Sequence, residues 1–135
     1  MENSKYAKIE INEPFDTWKK IFEKIINPKN TLSFKVIRGS IHKIIIELNE
    51  TYKIVFYTRI GSDFIITIYK NYGTDNCSKI TSIRIDHDYY HYQYYDHHQY
   101  DNSAFKLAKE VWDYYIDLDY ANDKKIITEI INNLQ

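Results

Sequence analysis

Cysteine occurs once in the 135 residues, at Cys77, so no disulfide can form within the chain, which suits a reducing compartment. Glycine (3) and proline (2) are almost as scarce, which argues against long disordered linkers. Three scattered glycines also exclude a phosphate-cradling loop and a dinucleotide fingerprint, both of which need clustered glycines for close backbone approach. Long hydrophobic runs are missing. No stretch of Ile, Leu, Val or Phe exceeds three residues, as at Ile44-Ile45-Ile46, against the ~20 residues of a membrane helix. Met1-Glu2-Asn3-Ser4-Lys5 lacks the apolar stretch of a secretory leader. The expectation is a cytoplasmic protein with no membrane partner. Asn49-Glu50-Thr51 and Asn76-Cys77-Ser78 match the glycosylation pattern and, without a leader, read as chance.

Arginine (3) and alanine (4) are rare beside 23 Ile, 15 Lys, 14 Tyr and 11 Asn. The abundant residues draw on AT-rich codons and the rare ones mostly on GC-rich codons. An AT-rich bacterium, phage or large virus fits this usage, and tyrosine abundance by itself carries little functional weight. The net charge is −1, but residues 1–74 hold 12 Lys and Arg against 8 Asp and Glu, whereas residues 75–135 hold 6 against 11. Such a split lets the two halves attract one another, or offers an acidic face to a basic partner. It does not suit a dedicated DNA binder.

The patterning describes one domain over residues 1–135, with 44% hydrophobic residues to build its core. Tyr6 to Ile11 alternates as a short strand. Glu13-Pro14 opens a helix whose apolar stripe is Phe15, Trp18, Ile21, Phe22, Ile25 and Ile26, and Asn27-Pro28 closes it. The period then changes to 2. Leu32, Phe34 and Val36; Ile44, Ile46 and Leu48; Tyr52, Ile54 and Phe56; and Phe64, Ile66 and Ile68 mark successive strand faces, and a further strand runs from about Lys79 through Ile85 and beyond. Short connections imply an antiparallel meander. Helical spacing returns after Asp101-Asn102-Ser103, and Asn122 is read as the cap of a last helix carrying Ile126, Ile127, Ile130, Ile131 and Leu134. The expected fold is α+β: a single antiparallel sheet of about six strands in the order β-α-β5-α-α, with helices packed mainly on one face. The other face holds Ile45, Val55 and Ile65 among Lys43, Glu47, Lys53, Tyr57, Thr67 and Tyr69, a half-apolar surface suited to association.

One stretch carries chemistry-bearing residues at high density, from Asp86 to Asp101. It includes Asp86, His87, Asp88, Tyr89, Tyr90, His91, Tyr92, Tyr94, Tyr95, His97 and His98. His87 and His91 stand four apart. On a helix they would lie side by side; on a strand they would be roughly 13 Å apart, too far for one metal ion. The six aromatic rings and the flanking Ile83 and Ile85 favour a strand, so His87, His91 and His98 are weak metal candidates, and no cofactor is expected. Asp and His together could transfer protons, but no activated nucleophile accompanies them. Stacking of single-stranded bases on the tyrosines would need a basic groove, whereas Arg84 to Asp101 has one Arg against four Asp, which argues against nucleic acid. The plainer reading is an amphipathic edge strand with structural roles only.

These exclusions favour a non-enzymatic binding protein of immunity or inhibitor type. Its partner would be another protein or a second copy as a homodimer, with Asp86, Asp88, Tyr89, Tyr90, Tyr92, Tyr94 and Tyr95 as the contact patch. The alternative is a small enzyme or ligand sequestrant acting on a nucleotide or another small molecule. Its His/Asp site would use His87, His91, Asp88 and His98, in a pocket between the sheet and the C-terminal helices.

Overall fold

The computed structural model describes residues 15–29, 32–39, 42–58, 63–86 and 103–134. Their elements are α1 (Phe15–Ile25), β1 (Phe34–Ile37), β2 (His42–Glu47), β3 (Tyr52–Thr58), β4 (Asp63–Lys70), β5 (Ser78–Asp86) and α2 (Ser103–Asn133). The strands form one five-stranded sheet in the order β1-β2-β3-β4-β5, and every neighbouring pair is antiparallel. The expected strand at Tyr6–Ile11 lies outside the described residues.

The register explains why period-2 patterning produced this meander. Val36, Ile44, Phe56, Ile66 and Ile83 are paired in a row across all five strands, so one hydrophobic position per strand lands on the same face. Phe34, Ile46, Ile54 and Ile68 make the adjacent row. A slip of one residue would turn a whole strand inside out, and that cost holds the register. The turns are built by side chains suited to them. Asn49 Oδ1 accepts from the backbone N–H groups of Thr51 and Tyr52, both at 2.8 Å, closing β2 onto β3. Between β4 and β5, Asn71 (φ 58°) and Gly73 (φ 89°) take the left-handed conformation that this reversal requires.

Both helices contribute to the core on that face. Trp18, Phe22 and Ile25 of α1 and Ala108, Val111 and Tyr115 of α2 are buried with Ile44, Ile46, Ile54, Phe56, Phe64, Ile66, Ile83 and Ile85. Phe22 meets Phe56 at 5.6 Å between ring centroids, which fixes α1 over the middle of the sheet. α1 ends where expected: Asn27 precedes Pro28, and its Oδ1 accepts from the Lys29 N–H at 2.9 Å.

The C-terminal part departs from expectation. In place of two helices separated at Asn122, one helix of 31 residues runs from Ser103 to Asn133. Asn is a good cap but only a mildly poor helix interior residue, and Tyr120-Ala121-Asn122-Asp123-Lys124 contains neither Gly nor Pro to stop propagation.

Candidate interaction surfaces

The aromatic, histidine-rich segment meets the described structure only at its first residue. Asp86 is the last residue of β5, paired with Asp63 of β4. Asp63 is buried, and its carboxylate lies 3.3 Å from the Arg84 guanidinium, so this sheet end is held by a charge pair. Asp88, Tyr89, Tyr90, Tyr92, Tyr94 and Tyr95, and with them His87, His91 and His98, lie outside the described residues. Among the described residues, no group of three or more His, Cys, Asp or Glu is placed to hold a metal ion. No described helix is long and apolar enough to cross a membrane.

The second sheet face is assembled as its alternation implied. Ile45, Val55 and Thr67 share one row, and Lys43, Tyr57 and Ile65 the next. Its centre, however, offers little surface: Val55 and Thr67 are each only 6% exposed, and the Thr67 hydroxyl is hydrogen-bonded to that of Ser82 at 3.0 Å. A cavity of about 270 Å³ lies toward the β1 edge, between Lys35, Ile45, Glu47 and Lys53 and the β4–β5 turn at Tyr72 and Gly73.

Among the described residues, the largest exposed apolar feature is the end of α2. A helix of 31 residues is about 46 Å long, while five strands span only about 19 Å between the outer strand axes. α2 must therefore overhang the sheet, and its ring contacts show where. Phe105 and Trp112 lie over Phe64 of β4, at 5.3 and 5.9 Å. Tyr115 lies over Phe34 of β1, the outermost strand, at 5.1 Å. The helix thus crosses the sheet toward the β1 edge.

Tyr115 anchors that crossing point. Its hydroxyl donates to the backbone carbonyl of Ile25, at the end of α1. Burial, helped by the adjacent Tyr114, pushes its pKa up to about 12. One helical turn on, Asp119 makes a 2.8 Å ion pair with Arg38, just beyond β1. A cavity of about 340 Å³ opens here between Leu32, Phe34, Tyr114, Tyr115 and Leu118. Among the described residues its lining carries no imidazole or carboxylate, and a tyrosine held protonated to about pH 12 is a poor base near neutrality.

Every residue from Tyr120 to Leu134, one position past the end of α2, is exposed. Ile126, Ile127, Ile130 and Ile131 are 51–56% exposed and Leu134 is 78% exposed, and they form a continuous stripe at helical spacing. Periodicity alone assigns the same residues to a last helix. Periodicity reports which side of a helix is apolar, not whether anything covers it. The signal that distinguishes the two parts is the polar turn of Asp119, Asn122 and Asp123, which interrupts the apolar side where the helix leaves the sheet.

No family model, no curated protein and no solved structure matches the chain.

Proposed function

We propose that the chain is a non-enzymatic protein-interaction protein that binds through the overhanging end of α2. The supporting observation is the stripe of Ile126, Ile127, Ile130, Ile131 and Leu134, which is apolar, contiguous and exposed. Half-exposed isoleucines at five or so neighbouring positions leave on the order of 400 Å² of apolar surface in one patch, and patches of this size on soluble chains commonly mark binding sites. An apolar helix face recognises another protein by lying in a groove or against a second helix, with anchors at i, i+3/i+4 and i+7. Inhibitors and immunity proteins act in this manner, by occupying a partner's surface without chemistry, and the reading needs no cofactor.

The test compares the wild-type chain with the double variant Ile127→Lys/Ile131→Lys. Both are analysed by native mass spectrometry, alone and mixed with extract from the native host. The variant is expected to keep the wild-type circular dichroism spectrum and to lose the complexes, self or hetero, that the wild type forms. Complexes that persist unchanged in the variant contradict the proposal, as does a wild-type chain that forms none.

A further inference from the structure

Resting on that reading of the stripe as a binding surface, we infer that its partner is a second copy of this chain, paired antiparallel through the distal ends of the two α2 helices. The stripe is set apart from the intramolecular core first by its place along the helix, past the last residues that pack on the sheet. At about 100° per residue, the stripe centre lies roughly 100° round the helix from the side bearing Ala108, Val111 and Tyr115, and continues the flank of Phe105, Trp112 and Ile116. Asp119, Asn122 and Asp123 interrupt the apolar side between the two stretches, and the Arg38–Asp119 ion pair marks the end of contact with the sheet. One helix therefore carries two apolar stretches, one over the sheet and one past it. The described residues cover only the first.

Area and symmetry select the occupant. Two stripes packed together remove on the order of 800 Å² of apolar surface, and the flanking side-chain stems bring the total to about the 1,000 Å² at which specific interfaces begin. A twofold contact covers both copies' stripes at once and requires no partner of different sequence. The overhang also lets two helices approach without their sheets colliding, because residues 120–134 project beyond the β1 edge.

Charge selects the orientation. Asp123 lies on the stripe side of the helix, so a parallel, in-register pair would set the two Asp123 carboxylates against each other at the seam. An antiparallel pair centred on Ile130 brings Ile126 beside Leu134 of the other copy, and it moves each Asp123 about 20 Å along the axis from its counterpart.

The experiment is sedimentation equilibrium of the purified full chain from about 1 to 200 µM, joined to disulfide trapping. The weight-average mass is expected to rise with concentration from 16.3 kDa toward twice that value. In Ile127→Lys/Ile131→Lys it should stay at the monomer value, an at least tenfold weakening. With the exposed native thiol removed by Cys77→Ser, the pair Ile126→Cys/Leu134→Cys should oxidise to linked dimers, and Asp123→Cys should not. A wild-type chain that is monomeric throughout overturns the inference, as does a dimer indifferent to the lysine substitutions. Trapping through Asp123→Cys overturns the antiparallel arrangement. If the chain is monomeric yet binds another protein in a stripe-dependent way, self-pairing falls while the interaction reading stands. If neither association depends on the stripe, both fall.

Discussion

The two halves of α2 have similar residues and opposite fates. From Phe105 to Ile116, apolar side chains at helical spacing close the core against Phe34, Phe64 and α1. From Tyr120 to Leu134, an equally apolar stripe stands in solvent. Apart from the polar turn of Asp119, Asn122 and Asp123 between them, little in the helix itself distinguishes them, since both halves have the same backbone and overlapping composition. The difference is set by the sheet, which is narrower than the helix is long. A helix therefore serves folding only as far as it has a surface to lie on, and the remainder is free for another use.

The comparison is broken most forcefully by making one substitution in two places. Ile44 is fully buried, and Ile44→Ala should cost about 2–5 kcal/mol in urea unfolding through lost transfer energy and the cavity left behind. Ile130→Ala deletes the same atoms where half the residue is already wet. At dilute, monomeric concentration it should lie within about 0.5 kcal/mol of wild type, because alanine's better helix propensity offsets the small lost contact. Equal costs would mean that the distal stripe is packed within its own chain.

Between these extremes stands the anchor at the crossing point. Tyr115→Phe leaves the Ile25 carbonyl without its donor and should cost about 1–2 kcal/mol near neutral pH. It should also change the alkaline limb. An unfolded tyrosine ionises near ~10, whereas Tyr115 in the fold ionises near about 12, so the unfolded state loses its proton first. The stabilisation is fully present below ~10 and is lost as the pH rises through about 12. Denaturation curves across this window should fall more steeply for wild type than for Tyr115→Phe; parallel curves would remove Tyr115 as their cause.

Smallest of all is the tether. Arg38 and Asp119 side chains are 47% and 25% exposed, so Arg38→Ala should cost no more than about 0.5 kcal/mol, a shift of about 2 °C in a thermal melt. A larger loss would show that the overhang depends on this pair more than a solvent-screened contact allows.

What could be read from the residues follows the same division. The strands were legible because a period of 2 leaves little freedom: Phe34, Ile44, Phe56 and Ile66 have only one face to share. The start of α2 was legible in Asp101-Asn102-Ser103, and the end of α1 in Asn27-Pro28. Asn122 misled because a cap signal is local, whereas helix propagation sums over neighbours, and those neighbours favour continuation. The exposure of the distal stripe was not legible, because burial depends on how far the sheet reaches and spacing along a helix does not record that. The aromatic patch at Tyr89 to Tyr95 belongs to the segment outside the described residues, where periodicity remains the only guide.

The most direct measurement is amide hydrogen exchange resolved along α2 at about 1 µM and about 200 µM of the full chain. A half-helix with no cover is marginal in water, so the 120–134 amides should exchange far faster than those of 105–118 in the dilute sample and slow markedly in the concentrated one. Equal protection of the two halves, unchanged by concentration, would contradict an overhang that association completes.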